Sequence, residues 1–154
     1  MEKNLIIIII ITLIVLISFF IFKPFSKNNL QTTTLKLNNH NYQIEIASTM
    51  SQKAIGLSGR NQLCPNCGMI FLFSYQGILP FWMKDTFIPL DMIWLDSNDK
   101  IVNIQTVIET NSSKILKNST PAQYVLELNA NDSQKIGLKI GDIIDLSNLS
   151  DQKK

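Results

Sequence analysis

Histidine and cysteine are scarce in this sequence, and their scarcity excludes several kinds of catalytic and metal site. The chain has one histidine, His40, and two cysteines, Cys64 and Cys67. A structural zinc site needs about four ligands, which two cysteines and one distant histidine do not supply. Because the only histidine lies in a predicted turn, no Ser-His-Asp triad or other nucleophile–base pair can be assembled, and an HExxH motif would need a second histidine. No cofactor and no metal site are predicted.

An excess of charge of one sign is also missing. The 154 residues include 14 basic and 12 acidic ones, for a formal net charge of +2, and no basic run precedes the terminal Lys153-Lys154. Binding of nucleic acid therefore lacks its electrostatic footprint. The sequence also contains no internal repeat, no glycine-rich phosphate loop and no low-complexity tract. Its length allows one domain and an appendage.

The appendage is an apolar run near the N-terminus. Residues 5–22 carry no charge and are interrupted only by Thr12 and Ser18. At about 1.5 Å per residue a helix of this length reaches roughly 27 Å, enough to cross the hydrocarbon core of a membrane. The alternative, a cleaved signal peptide, has a shorter apolar region that ends in small residues. This run ends without an A-x-A site or a nearby cysteine for a lipid, so we predict an uncleaved anchor.

Lysines flank both ends of the predicted anchor and do not decide its orientation. A short N-terminal tail followed by a whole domain favours a single-pass membrane protein with its N-terminus inside and its domain outside the cytoplasm. The predicted organisation is a tail (1–4), a transmembrane anchor (5–22), a linker (23–32), a β domain (33–147) and a polar C-terminal tail (148–154).

Alternation of apolar and polar residues predicts β-structure after the linker. Residues 35–37 and 42–46 alternate in this way, and Asn-Asn-His-Asn at 38–41 lies between them. Because asparagine tolerates positive φ, the pair predicts a β-hairpin with His40 in its solvated turn. Further strands are predicted at residues 68–73, 78–85, 90–96, 101–108, 122–130 and 143–146.

Two short helical turns interrupt the predicted strands. Thr49 and Gln52 have the spacing of a capping box before Gly56, and Asn131 and Gln134 indicate a second capped turn before another glycine. Pro89 removes a ladder donor, so a bulge or break is expected there. About eight short strands with two helical turns predict a mainly β domain, built as a sandwich or a barrel.

The motif Cys64-Pro65-Asn66-Cys67 allows two interpretations besides zinc. A thioredoxin-type redox pair normally opens a helix, whose N-terminus lowers the thiol pKa. Here the motif runs directly into the apolar strand predicted at 68–73. The favoured interpretation is a local disulfide, or a pair of thiols, that stiffens the loop; export of the domain would permit a disulfide.

The segment at residues 81–91, FWMKDTFIPLD, places charges among aromatic and aliphatic residues. Burial of an unpaired charge costs several kcal/mol, so such charges are normally paired or used at a site. Asp85 and Asp91 could form a carboxylate pair for acid–base chemistry or for cation binding. Alternatively, Lys84 and Arg60 hold them in an ion-pair network that fixes the geometry of the loop.

Aromatic residues in and after this segment are interpreted either as core or as a platform for a flat ligand; these are Phe81, Trp82, Phe87 and Trp94. Glu127 lies on the opposite face of its predicted strand from Tyr124, Leu126 and Leu128, and is expected at or near the surface unless it turns toward the same cleft. The candidate binding cleft comprises Arg60, Trp82, Lys84, Asp85, Asp91 and Glu127.

Four blocks of this sequence resemble the domain of unknown function 192 (DUF192) family, also called uncharacterised protein family 0127. They are Gly56-Leu57 with Arg60, GMIF at 68–71, FWMKDTFIPLD at 81–91 and YVLELNA at 124–130. The sequence departs from the family pattern at Asp85, where asparagine is usual, and at Asn131, where glycine is usual. The resemblance implies a compact, mainly β, sandwich-like domain, often carried behind a signal or anchor, and supplies no established activity.

Three hypotheses for function follow. The first is a small prokaryotic membrane-anchored module whose cleft binds a small molecule or an envelope protein. The second is an envelope enzyme, either a hydrolase or lyase that acts through Asp85 and Asp91, or a thiol redox protein that acts through Cys64 and Cys67. The third is an anchored domain with a purely structural role that packs against an envelope protein.

Overall fold

The structure, a computed structural model, describes residues 30–152, with side chains described as far as residue 149. Its elements are β1 (Gln31–Leu37), β2 (His40–Ala47), α1 (Met50–Ile55), β3 (Cys67–Gly77), β4 (Leu90–Leu95), β5 (Ile101–Val107), β6 (Ala122–Asn129), α2 (Asp132–Lys135) and a 3-10 helix (Ser147–Gln152). The prediction of a mainly β domain with two short helices is confirmed. The predicted anchor lies outside the described residues, among which no helix is long and apolar enough to cross a membrane.

The strands form one six-stranded sheet in the order β1-β2-β3-β6-β4-β5. Neighbouring strands are antiparallel except for β2 and β3, which are parallel. The prediction of about eight strands in a sandwich or barrel is therefore wrong in its strand count and its layers. The described strands instead form a single sheet with β1 and β5 at its edges.

Two of the predicted strands are loops. Within 78–85 only Phe81 forms an isolated bridge, with Leu116, and within 143–146 only Ile143 does, with Lys100. The apolar residues of the first loop mimic a strand in the sequence because several are buried as anchors, among them Leu79 and Met83. The break expected at Pro89 is confirmed, since β4 begins at the next residue.

Both faces of the sheet are covered, so alternating residues on the central strands are buried whichever way they point. One face, called the α2 face, carries Ile44, Ile93 and Leu126 and packs against the C-terminal residues Leu146 and Leu149. The other face, called the α1 face, carries residues of β3, β4 and β6 and packs against the segments that follow β2, β3 and β5. Strand β4 is accordingly buried along its whole length.

Helix α1 reaches its face because parallel strands need a crossover connection. The link from β2 to β3 contains α1, and Leu57 after the helix packs into the core of the α1 face. Thr49 and Gln52 form the predicted capping box, and Gly56 ends the helix with a φ of 50°. Six residues make a helix too short to be stable alone, so tertiary contacts hold it in place.

The hairpin of β1 and β2 is confirmed, with residues 38 and 39 as its turn and His40 exposed at the start of β2. The second predicted helical turn is confirmed as α2, followed by Gly137 at a φ of 74°. Its capping differs from the prediction, because the side chain of Asn131 makes no capping hydrogen bond. Asn131 instead adopts a left-handed φ of 69°, which asparagine tolerates better than most residues.

Candidate functional site

A pocket of about 320 Å³ lies between helix α1, the α1 face of the sheet and the loop that precedes β4. We call it the α1 pocket. Its walls are mainly apolar and include four aromatic side chains: Phe71, Phe73, Phe81 and Trp82. Its charged lining residues are Lys53, Lys84 and Glu127. This volume lies at the small end of the range for pockets that enclose organic ligands.

Glu127 is the most unusual residue of the α1 pocket. It lies on β6 and is only 4% exposed, and its carboxyl group makes no hydrogen bond among the described residues. Burial raises the pKa of its carboxyl from an ordinary value of 4.5 to about 8. At neutral pH the group is therefore mainly an uncharged acid whose O–H can donate to a ligand. The expectation that Glu127 lies at or near the surface is wrong, since both faces of the sheet are covered.

The neighbours of Glu127 on the sheet explain why its carboxyl is desolvated. Register places Met69 of β3 on one side and Met92 of β4 on the other, and both methionines are fully buried. Glu45 of β2 is the next residue of this row, beyond Met69. Two apolar thioether side chains therefore flank the carboxyl within the sheet. The carboxyl can then meet a polar partner only from the side of the pocket.

Arg60 does not neutralise Glu127 because it is engaged by Glu45. The guanidinium donates two hydrogen bonds to the Glu45 carboxylate, at 2.8 Å and 2.5 Å. This hydrogen bonding raises the pKa of Arg60 further above its already high value, despite partial burial. Arg60 thus anchors the loop after α1 to β2, and it is not among the residues that line the pocket.

The two lysines of the α1 pocket differ in their contacts. The Lys53 ammonium group donates to the carbonyl oxygen of Leu72 at 2.8 Å and lies 4.8 Å from the centroid of the Phe73 ring. Burial lowers the pKa of Lys53. Lys84 is exposed, and no ion-pair partner for it is found among the described residues. Its charge is available at the mouth of the pocket.

Asp91 lies on the other face of the sheet. It is fully buried on β4, where its carboxylate accepts four hydrogen bonds. Two come from Ser133, through its backbone N–H and its hydroxyl, one from the Asn131 N–H and one from the Thr106 hydroxyl. These bonds tie β4 to β5 and to the start of α2. Asp91 therefore does not meet Asp85, and the two do not form a carboxylate pair at one point.

Asp85 contributes through its backbone. It is exposed and has a φ of 55°. Its N–H donates to the side-chain oxygen of Asn111, and its carbonyl accepts from the Gly59 N–H at 2.7 Å. Lys84, Asp85 and Asp91 consequently form no ion pair with one another. The usual asparagine at position 85 of the family pattern fits this backbone conformation.

Cys64 and Cys67 are joined by a disulfide that closes the loop before β3. Asn66 inside this loop has a φ of 54°, and the Cys67 N–H donates to the Cys64 carbonyl. The disulfide does not border the α1 pocket. It matches the favoured sequence interpretation of a stiffened loop.

The aromatic residues divide between core and surface. Trp94 is fully buried and packs edge-on against Phe81, with ring centroids 6.4 Å apart. Trp82 and Phe87 are 53% and 47% exposed, and of these two only Trp82 lines the pocket. Among the described residues no group of three or more histidine, cysteine or acidic side chains is arranged to hold a metal.

The structure thus brings together Trp82, Lys84 and Glu127 of the six residues in the predicted cleft, and leaves Arg60, Asp85 and Asp91 outside the pocket. Sequence reasoning missed Lys53 and the pair Phe71 and Phe73. The alternation within β3 is the signal that places these two phenylalanines on one face. Whether any of these residues binds a ligand stays a prediction.

The fold and pocket define a class: a small mainly β domain whose single mixed sheet is buried on both faces and carries an apolar pocket with a buried acid. The chain belongs to the DUF192 family, whose model, described as "Uncharacterized ACR, COG1430", matches residues 32–146. The resemblance seen in the sequence is thereby confirmed. No curated protein matches the chain.

Two solved structures are similar to the chain. One, from Sinorhizobium meliloti 1021, is described as a "putative transcription regulator"; it is 34% identical, with a TM-score of 0.68 over 73% of this chain and 89% of that one. The other, a protein of unknown function from Novosphingobium aromaticivorans DSM 12444, is 30% identical, with a TM-score of 0.68 over 79% of this chain and 89% of that one. Both share the fold.

Proposed function

We propose that this domain is a binding module that holds a small organic molecule in the α1 pocket. The observation that carries the proposal is Glu127, a buried acid that lines a mainly apolar pocket and whose side chain makes no hydrogen bond within the described part of the chain. An unpaired buried polar group costs about 1–3 kcal/mol of stability. A ligand that hydrogen-bonds the carboxyl would recover part of that cost. Binding of such a ligand would explain why an acid occupies this position.

Isoleucine methyl groups provide the test of this proposal. Ile55 and Ile115 line the α1 pocket, whereas Ile93 is buried on the α2 face and Ile143 is exposed elsewhere. The full chain, methyl-labelled in lipid nanodiscs, is titrated with a panel of single-ring carboxylates, amines and amides. We expect some compounds to shift the signals of Ile55 and Ile115 and to leave those of Ile93 and Ile143 in place.

A blocking variant and its matched control complete the experiment. Ala54→Trp adds an indole on an exposed position of α1 that lines the pocket, and Met50→Trp adds the same indole to the same helix outside it. Binding should be lost in the first variant and retained in the second. If no compound shifts the two pocket methyl groups, or if both variants respond alike, the pocket is not a binding site.

The geometry gives less support to the enzyme hypotheses. Acid–base chemistry through Asp85 and Asp91 needs both carboxylates near one point. Asp85 lies in an exposed loop, whereas Asp91 lies in the core of the α2 face.

Regulation of transcription, the role in the name of the Sinorhizobium protein, would require a surface that binds nucleic acid. A formal net charge of +2 without a basic run does not favour such a surface.

We also propose that the domain is held at a membrane by residues 5–22, with its N-terminus inside and the domain outside the cytoplasm. The uncharged length of that run supports an anchor. The Cys64–Cys67 disulfide supports the external location, because disulfides persist in oxidising compartments and are rare in the cytoplasm.

A further inference from the structure

The ionisable side chains that line the α1 pocket are hydrogen-bond donors at neutral pH, and the Thr86 hydroxyl beside them already donates to the Lys84 carbonyl oxygen at 3.4 Å. Lys53 and Lys84 present ammonium groups, and Glu127 on the floor presents an acid with no acceptor beside it. The apolar walls between floor and mouth include the rings of Phe71 and Phe81. This arrangement specifies the chemistry of a complementary ligand more closely than the volume alone does.

We infer that the α1 pocket binds a small aromatic or aliphatic carboxylate that also carries a neutral carbonyl at its far end. The carbonyl accepts the proton of Glu127 on the floor, the apolar body packs against the phenylalanine rings, and the carboxylate faces Lys84 at the mouth. This inference rests on the proposed binding function and adds to it the sign of the ligand's charge and the direction in which the ligand lies.

An organic cation is the main competitor, because aromatic rings with a carboxylate are a common site for amines. Here the Lys53 ammonium already lies over the Phe73 ring, and Lys84 adds a second positive charge at the mouth. A cationic ligand would also require Glu127 to ionise between Met69 and Met92, in an apolar row. These contacts disfavour a cation and favour an anion with an acceptor.

The protonation of Glu127 gives the two ligand classes opposite pH dependence. The charged groups that line its pocket are Lys53 of α1 and Lys84 of the loop that precedes β4; the flanking strands present methionines, and the segment before β6 contributes Ile115. Burial raises the pKa of Glu127 to about 8, so its donor proton is lost above that pH. A carbonyl ligand should bind more weakly as pH rises through 8, and an amine more tightly.

Three compounds with one ring test this inference on the full chain in nanodiscs. They are 4-acetylbenzoate, 4-ethylbenzoate, which lacks the carbonyl, and 4-acetylbenzylamine, which replaces the anion by a cation. We expect 4-acetylbenzoate to shift the methyl signals of Ile55 and Ile115 with the highest affinity. Loss of the carbonyl should weaken binding about tenfold, the effect of one hydrogen bond.

Substitutions then assign each end of the ligand. Glu127→Gln keeps a donor and removes the ionisation, so affinity should persist while its pH dependence between 7 and 9 disappears. Glu127→Leu should remove the preference for 4-acetylbenzoate over 4-ethylbenzoate. Lys84→Gln should weaken both benzoates, and Lys100→Gln, at an exposed lysine outside the pocket, should not. An unshifted Ile93 methyl signal shows that a variant is folded.

The outcomes separate the inference from the proposed function. If the amine shifts Ile55 and Ile115 and binds as tightly as 4-acetylbenzoate, or more tightly, the pocket binds ligands and the inferred ligand class is wrong. The same conclusion follows if the affinity of 4-acetylbenzoate does not change with pH in the wild-type protein. If none of the three compounds shifts these signals, the inference fails; the proposed function fails with it only when the wider panel is also silent.

Discussion

Glu127 shows how one residue can couple the stability of this domain to its pocket. Its carboxyl is buried between two methionines and is uncharged over much of the physiological pH range because its pKa is raised to about 8. An isosteric amide or an apolar side chain would avoid the cost of holding a carboxyl group protonated there at neutral pH. The acid therefore lowers stability in the empty protein, and under the proposed function a bound ligand would offset part of this loss.

The pH dependence of folding tests the state of Glu127. Protons bind this carboxyl more tightly in the folded than in the unfolded chain, so its contribution to stability is greatest below pH 4.5 and is lost as pH rises toward 8. Relative to Glu127→Gln, the wild-type free energy of unfolding should fall by about 1.4 kcal/mol per pH unit within that window. Denaturant unfolding at several pH values measures it. A constant difference between the two proteins would contradict a buried acid.

Asp85 provides a second test at the scale of a residue. Because its φ is 55° and its described hydrogen bonds are made by the backbone, we expect Asp85→Asn to be at least as stable as wild type. Asp85→Ala should lose about 1 kcal/mol, since alanine disfavours this conformation. Thermal unfolding compares the three proteins. A loss of ligand affinity in Asp85→Asn at unchanged stability would instead give the carboxylate a role in binding.

At the scale of elements, Gly68 decides how closely β3 approaches its neighbours. A Cβ at this position would lie 2.6 Å from the carbonyl oxygen of Glu127 on β6 and 2.8 Å from a side-chain carbon of Ile44 on β2. Gly68→Ala should cost about 2–3 kcal/mol, since the backbone itself must move. Gly77→Ala in the same strand meets only the ring of Tyr75, at 3.3 Å, and should have little effect. Equal denaturation midpoints for the two variants would show that β3 has room to move.

Asp91 of β4 is hydrogen-bonded to β5 and to the start of α2, on the face of the sheet opposite the pocket. Its role is therefore structural and independent of the pocket. Asn at this position would replace one of the two acceptor oxygens by an NH2 group that faces other donors, so Asp91→Asn should lose about 2–4 kcal/mol of stability. Ligand affinity of the folded fraction should not change, because the residue lies on the α2 face. Chemical denaturation gives the first quantity and the methyl titration the second. Weaker binding in the folded state would place Asp91 in the site after all.

Local sequence patterns predict those elements whose causes are local. The capping box of Thr49 and Gln52, the hairpin turn before His40 and the break at Pro89 each follow from neighbouring residues and are found in the structure. The alternation around Glu127 likewise predicts its face correctly. Its burial depends on α1 and on the loop before β4, which cover this part of the sheet. Both are distant from Glu127 in the sequence, so the local pattern around it does not predict that it is buried.

At the scale of the whole molecule, the geometry of the pocket does not determine the cellular compartment in which the domain lies. Under the proposed anchoring, the residues between the anchor and the start of β1 are 23–30, which span at most roughly 30 Å when fully extended, so a carboxylate ligand would reach the domain close to the membrane. The described chain begins at Leu30, which packs against the core of the α1 face. The N-terminal end of the described chain therefore lies at the face of the sheet that carries the pocket.

The oxidation state of the two cysteines in cells tests this arrangement. If the domain lies outside the cytoplasm, Cys64 and Cys67 should resist a maleimide–polyethylene glycol label in acid-trapped cells and accept two labels after reduction, which gel mobility reports. The same chain without residues 2–22 should stay in the cytoplasm and accept both labels at once, since disulfides there are kept reduced. Two labels on the full chain before reduction would place the domain inside. If the full chain resists labelling before reduction and is also recovered with membranes, the domain has been exported and has stayed attached to the membrane. An uncleaved anchor at residues 5–22 provides both.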